Sequence, residues 1–255
     1  MDYIIAIPSY DRFIGIQSKT LKFLERHDIA FAKIYIFVSS ESYKQYSDLS
    51  LLGVHLIESR HTITATRNHI IDYFSTGVNI VEMDDDVEDI IRMDTGQPVD
   101  NFNTLCRESF GILGTSGIWG FNSTDNRFYA NMIDKFGLAS IVNACMGYVN
   151  DKRIKLTIPE KEDFQRVAIA STLGIPILKR GMYGIKTRYW TNKGGIQSHY
   201  GFEERKEVQR KSASLLLLKY PHLCYVITRK NGLVDIRFKK RKLTTKNNKK
   251  MKLAR

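Results

Sequence analysis

The sequence has no hydrophobic run approaching the ~20 residues that a helix needs to cross a bilayer, so no spanning segment is expected. Cysteine is scarce. Cys106, Cys145 and Cys224 are far apart, odd in number and outside any Cys-x-x-Cys arrangement, which argues against both a disulfide framework and a zinc cluster. A reducing, cytoplasmic setting is the expectation, the host cytoplasm for a viral chain. The basic start of a secretory leader is missing too: Met1-Asp2-Tyr3-Ile4-Ile5-Ala6-Ile7 opens on an acid and Pro8 ends the apolar stretch, so it reads as a first buried strand. Acids are absent from residues 237–255, which hold ten of the lysines and arginines. Of the formal charge of +12, 12 − 10 leaves +2 for the rest, so the basic excess belongs to a tail.

What is present suits one globular unit. A chain of 255 residues with 43% hydrophobic and 26% charged residues can bury a full core without needing two domains. Apolar runs at Tyr3 to Ile7, Lys33 to Val38, Val54 to Ile57 and Asn79 to Met83 read as strands. Between them Lys19 to His27, Glu41 to Tyr46 and Thr64 to Phe74 carry helical spacing. This alternation predicts a mostly parallel sheet with right-handed crossovers. Beyond the aspartates at 84–86 the alternation is expected to lapse. Strands are expected at Gly117 to Phe121, Met146 to Val149 and Pro176 to Leu178, a helix at Glu160 to Thr172 and a terminal helix at Glu203 to Leu218.

In such sheets ligands bind beyond the carboxyl ends of the strands. Four polar segments fall there: Pro8-Ser9-Tyr10, Ser39-Ser40-Glu41, Glu58-Ser59-Arg60 and Asp84-Asp85-Asp86. Three consecutive aspartates repel one another unless a cation offsets them. Oxygen-only ligands favour Mg²⁺ or Mn²⁺, which one or two carboxylates hold together with substrate phosphates. The competing explanation is a cap on a helix beginning near Val87.

The ordered set Ile7-Pro8-Ser9-Tyr10-Asp11-Arg12, Thr66-Arg67-Asn68, Asp84-Asp85-Asp86 and Glu162-Asp163 resembles the GT-A glycosyltransferases. Ile118-Trp119-Gly120-Phe121, Lys161-Glu162-Asp163-Phe164 and Thr191-Asn192-Lys193-Gly194-Gly195 resemble one branch more closely. That branch holds the base J glucosyltransferase and viral and phage relatives associated with hydroxymethylated pyrimidines in DNA. The resemblance runs from about Ile5 to Gly195. It implies an α/β GT-A fold over 1–236, with a nucleotide-binding half over about 1–90, an acceptor half over about 91–236 and a basic tail over 237–255.

The resemblance also assigns roles. Pro8, Ser9, Tyr10 and Arg12 would meet the nucleotide base and ribose, with Arg67 and Asn68 nearby. Asp84 and Asp85 would lie against the nucleotide. Asp86 would ligate the metal, with Asp84 beside it and His199 completing the shell, and Lys193 would meet phosphate. Asp163 would be the general base that takes the acceptor hydroxyl's proton, and a single base without a covalent nucleophile implies inversion. The reaction implied is transfer of glucose from UDP-glucose to 5-hydroxymethylcytosine or 5-hydroxymethyluracil in double-stranded DNA. The basic tail suits such a polyanion. A glycan or protein acceptor, or an inactive DNA-binding sensor of sugar nucleotides, are the competing functions. Oligomeric state is left open.

Overall fold

The computed structural model describes residues 1–187, 201–229 and 232–239. Its first half is the expected alternation. β1 (Ile4–Ser9) leads into a helical run made of α1 (Phe13–Ile16), a π-helical stretch (Gln17–Leu21) and α2 (Lys22–Arg26). Then come β2 (Ile34–Ser39), α3 (Ser40–Tyr46), β3 (His55–Ser59), α4 (Ile63–Tyr73) and β4 (Asn79–Met83). β5 (Asp89–Arg92), α5 (Phe102–Leu113), β6 (Ile118–Asn122), β7 (Lys135–Phe136), β8 (Cys145–Val149), α6 (Glu162–Thr172) and β9 (Ile177–Lys186) follow. α7 (Phe202–Lys219) precedes a hairpin of β10 (Cys224–Thr228) and β11 (Val234–Phe238).

The main sheet has the order β3-β2-β1-β4-β8-β6-β9-β5, with β7 added on β9. β3, β2, β1 and β4 pair in parallel. β8 then runs antiparallel between β4 and β6, and β9 pairs parallel to β6. Six of the nine strands of this sheet therefore point one way, and the crevice lies at their shared carboxyl end. Alternation along the strands builds two cores. Ile5 and Ile7 of β1 join Phe23, Phe102, Phe110 and Trp119 on one face. Ala6 joins Ile70, Ile80, Met146 and Tyr148 on the other. The sheet is thus covered on both sides, as a parallel sheet must be. Gly147 of β8 is required by this packing, because a Cβ there would lie 2.1 Å from the Trp119 ring.

Several expectations are corrected. The segment after the aspartates turns into β5, not a helix, so the triad caps nothing. α5 replaces the expected irregular stretch. α7 is not terminal, since β10 and β11 follow it.

His27 gives the fold a pH signature. Its ring packs edge-on against Phe23 at 4.7 Å, and its Nδ1 accepts the Phe102 backbone N–H at 3.3 Å, at the start of α5. Burial holds its pKa below the ordinary value of 6.5. The stabilisation is therefore full above pH ~6.5 and is lost as acid protonates the ring. The midpoint of thermal unfolding should fall between pH 7.5 and 5.5, and fall less in His27→Gln. Parallel pH dependence in the two proteins would remove His27 as the cause.

Candidate active site

The aspartate loop is pinned on all sides by groups from distant parts of the chain. The Asp84 N–H donates to the Ala144 carbonyl at 2.9 Å, next to β8. Thr20, in the π-helical stretch, donates its hydroxyl to the Asp84 carbonyl at 2.9 Å and accepts the Val87 N–H at 3.0 Å. A π-helical turn often marks a functional position in a helix, and here it aims one buried threonine at the loop. From β9's far end, the Thr187 hydroxyl donates to Asp86 Oδ1 at 3.0 Å.

The three carboxylates then divide between two arginines. Arg12 Nη1 bridges Asp85 Oδ1 and Asp86 Oδ2, both at 2.9 Å. Ser9 donates its hydroxyl to Asp85 Oδ2 at 2.6 Å, and the Arg12 N–H donates to the Tyr46 hydroxyl at 2.8 Å. Asp85 is thereby almost fully buried, a support for the loop. Asp11, between Tyr10 and Arg12, has φ +51°. A left-handed non-glycine residue of this kind costs of order 1 kcal/mol or more, and here it turns Arg12 back onto the aspartates.

Arg67 takes the other side. It projects from α4, is 2% exposed, and meets three carboxylates. Nη1 pairs with Glu82, Nη2 donates to Asp84 Oδ1 at 2.8 Å, and Nε lies 3.4 Å from Glu162 Oε1. Glu82, wholly buried in β4, also accepts Arg166 Nη1 at 3.0 Å and the Tyr148 hydroxyl at 2.8 Å. Burial pushes the Glu82 carboxyl up, but Arg166 and Arg67 outweigh it and hold the group below its usual value. Asp84 responds differently. Burial drives it up to about 7, against Arg67 and with Asp86 and Asp85 adding like charge.

Through Arg67 the aspartate loop is joined to the amino terminus of α6. Asn143 Nδ2 also holds Glu162, at 3.3 Å. Lys161, with φ +63°, precedes the helix in a left-handed conformation, a second strained residue at this edge. Asp163 follows. Its Oδ1 accepts the Phe164 N–H at 2.8 Å, and among the described residues nothing bonds its Oδ2. Burial first, and the neighbouring Glu162 second, push Asp163 up to about 7. The pair is thus split: Glu162 is structural and Asp163 offers an oxygen.

A cleft of about 360 Å³ opens beside the loop, lined among others by Arg12, Phe13, Lys19, Gln45 and Asp86. The donor chemistry fits a hard divalent cation. All donors are oxygens, and burial, with Asp86 and Asp85 adding like charge, raises Asp84, a cost that a cation would relieve. Among the described residues no three His, Cys, Asp or Glu side chains form a ready cage. A cation would need further ligands from substrate phosphates, the usual arrangement for Mg²⁺.

The structure brings together Ser9, Arg12, Arg67, Asp84, Asp85 and Asp86, with Asp163 joined through Glu162. Other candidates lie elsewhere. Pro8 is buried inside β1 in register with Phe37, so the first loop begins after it. Asn68 uses its whole amide on Leu156, donating to the carbonyl at 2.8 Å and accepting the N–H at 2.9 Å. It ties α4 to the segment before α6 and does not reach the aspartates. Tyr10 donates to Glu41 Oε2 at 3.4 Å, on the flank of the loop. Lys193, His199 and the Thr191-to-Gly195 motif lie outside the described residues. Glu82, Arg166, Tyr148, Thr20 and Thr187 were not foreseen.

No family model and no curated protein sequence matches the chain. Solved structures do match. Residues covering 85% of the chain superpose on 67% of the S. aureus TarS 1–349 chain in complex with UDP-GlcNAc, with a TM-score of 0.54 and 16% identity. Against a longer S. aureus TarS chain the same 85% covers only 40% of that protein, with a TM-score of 0.53 and 13% identity. Glucosyl-3-phosphoglycerate synthase of Mycobacterium tuberculosis, in complex with Mn²⁺, UDP and glucosyl-3-phosphoglycerate, matches over 95% of this chain and 88% of its own, with a TM-score of 0.54 and 10% identity. The strand order, the crevice and these superpositions give the chain the GT-A glycosyltransferase fold.

Proposed function

We propose that the chain is an inverting, metal-dependent transferase that moves glucose from UDP-glucose onto the hydroxymethyl group of a 5-hydroxymethylpyrimidine in DNA. The observation that carries the enzymatic part is Arg67, a buried cation that binds Glu82, Asp84 and Glu162 at once. It couples the loop suited to a metal and diphosphate to the helix that offers Asp163. Two of the structural neighbours named above hold UDP-GlcNAc, or UDP with Mn²⁺. The DNA acceptor is supported by the ten basic residues over 237–255 and by the resemblance of the Lys161-to-Phe164 and Thr191-to-Gly195 segments.

Asp86 and Asp84 would hold Mg²⁺ or Mn²⁺, with His199 the further candidate. When bound, the ion supplies Lewis acidity to the departing diphosphate. The protein does the rest. Ser9 and Arg12 fix Asp85 and Asp86, so the loop is preorganised before substrate arrives. Lys193 is a candidate cation for the donor's phosphates, and Tyr10 a candidate neighbour of the uridine. Asp163 accepts the acceptor hydroxyl's proton as that oxygen bonds to the sugar's anomeric carbon. The bond from this carbon to the diphosphate oxygen breaks on the opposite face, releasing UDP and inverting the centre.

The test is mass analysis of nucleosides from hydroxymethylated DNA incubated with the protein, Mn²⁺ and a panel of nucleotide sugars. The expected result is one added hexose from UDP-glucose, absent with unmodified DNA and abolished by EDTA. Transfer to a glycan or protein but not to DNA would move the acceptor to the competing function. No product from any donor on any acceptor would overturn the enzyme.

A further inference from the structure

The segment between β6 and β7 exposes more apolar surface than the fold explains. Phe128 is 87% exposed, Tyr129 74%, Ile133 71% and Phe136 55%. Phe128 and Tyr129 pack edge to face with ring centroids 5.2 Å apart, and an exposed aromatic pair of this kind marks a contact surface. The segment is held in place rather than left loose. Arg127 donates Nε to the Met93 carbonyl at 2.7 Å and a second nitrogen to the Asp94 carbonyl. At the other end, Asp134 accepts the Gly181 N–H at 2.8 Å and pairs with Arg180 at 2.9 Å. Gly181 lets the segment lie directly on β9, since a Cβ there would sit 2.1 Å from the Ile133 carbonyl oxygen. The rings are therefore presented on a fixed mount.

The segment ends, at β7, on an electrostatic fault. β7 and β9 are antiparallel, and their register places Lys135 directly opposite Lys179. Like charges in facing positions destabilise a sheet, and among the described residues neither lysine has an acidic partner. The half-buried Lys179 is held below its usual pKa by burial and by Lys135. An anion between the two ammonium groups would remove the conflict. A second copy docked with these lysines on its two-fold axis would not, because it would set lysine against lysine.

We infer that Lys135 and Lys179, together with Phe128 and Tyr129 of the segment leading into β7, form a docking face for a single strand of nucleic acid. Lysines seat the phosphates, and exposed rings stack bases, which any sequence offers only where it is unpaired. The face lies along β9, eight residues before Thr187 at the aspartate loop, or about 26 Å at the rise of a strand. This rests on the proposed function and sharpens it: the acceptor base would be delivered on an unpaired stretch of DNA, its hydroxymethyl group already out of the stack.

The decisive variant is Lys135→Glu, which replaces the facing like charges by an ion pair. Full-length parent and variant are compared by thermal melting and by fluorescence anisotropy with a labelled 20-nucleotide single strand and the matching duplex, over a range of salt. The expected result is a variant that melts no lower than the parent, binds the single strand at least tenfold more weakly and shows a shallower salt slope. Phe128→Ala with Tyr129→Ala should weaken binding by a similar factor without changing that slope. Unchanged affinity in both variants, or parent affinity for duplex above that for single strand, would overturn the inference. So would parent binding to anionic vesicles in place of the oligonucleotide, or self-association that the ring variant abolishes. Binding needs no turnover. A chain that binds single strands through this face but transfers no sugar defeats the functional proposal alone, whereas transfer with variant affinities unchanged defeats only this inference.

Discussion

Asp163→Asn is expected to lower sugar transfer by roughly 10²–10⁴-fold, the usual worth of a positioned general base, while leaving affinity for UDP and Mn²⁺ near that of the parent. The amide is isosteric, so its oxygen can still accept the Phe164 N–H that Asp163 Oδ1 accepts at 2.8 Å. What it cannot do is take a proton from the acceptor hydroxyl. The pH profile gives a second reading of the same group. Burial and Glu162 push Asp163 up to about 7, and only the ionised form is a base. In the parent, kcat/KM should rise with pH through about 7 and level off above it. With Mn²⁺ saturating, so that Asp84 is held ionised, this limb should be missing in the variant. Steady-state assays over pH 5.5 to 9 check both. A variant within tenfold of the parent, or one that keeps the limb, would return Asp163 to a helix-terminal acid favoured by the dipole.

The first half of the fold is legible because each of its strands is a short apolar run closed by a turn signal, and each helix carries its own stripe. β4 matches its expected bounds, and β1 to β3 fall within two residues. The same reading should have found α5. Phe102, Leu105, Cys106 and Phe110 recur at helical spacing and are all buried, and Asn101 caps the helix by accepting the Thr104 N–H at 2.8 Å. β5 and β7 were less accessible. Asp89-Ile90-Ile91-Arg92 is four residues with a charge at each end, and Lys135-Phe136 is two exposed residues whose pairing depends wholly on β9. Local pattern carries little information where tertiary pairing decides.

The site divides in the same way. Consecutive aspartates at a strand end are visible as a like-charge cluster, and the arginines that hold them sit in short motifs of their own. Asn68 shows what sequence adjacency does not carry: next to Arg67 in the chain, it spends its amide on the Leu156 backbone. Thr20 and Thr187 carry no local sign of a role, since each acts on the aspartate loop from more than sixty positions away. Glu82 did leave a sign. A single acid in the otherwise apolar Asn79-to-Met83 strand must be paired if it is buried, although its partners Arg166 and Tyr148 lie 84 and 66 positions downstream.

That burial sets up the largest expected change in stability. Glu82 is 0% exposed and stands between Arg67 and Arg166, which are 2% and 1% exposed. Glu82→Gln keeps the shape and removes the only carboxylate that Arg166 is paired with among the described residues. Breaking a buried pair in this way leaves an uncompensated charge and costs about 3–5 kcal/mol, a fall of roughly 10 °C in melting temperature for a domain of this size. Arg67 is cushioned by Asp84 and Glu162, whereas Arg166 retains only uncharged neighbours, the Tyr148 ring at 4.8 Å and the Met146 sulfur at 3.7 Å. Most of the loss should therefore come from Arg166, and adding Arg166→Met to Glu82→Gln should recover a substantial part of it, since an apolar group of similar length needs no counter-ion. Urea unfolding of the parent, Glu82→Gln, Arg166→Met and the double variant gives the coupling directly. A Glu82→Gln protein within ~0.5 kcal/mol of the parent, the range of an ordinary surface change, would show that the network is not what holds α4, α6 and the aspartate loop together. The expected coupling would instead make one buried glutamate the common support of the aspartate loop and α6, so that damage to it reaches the proposed site and folding together.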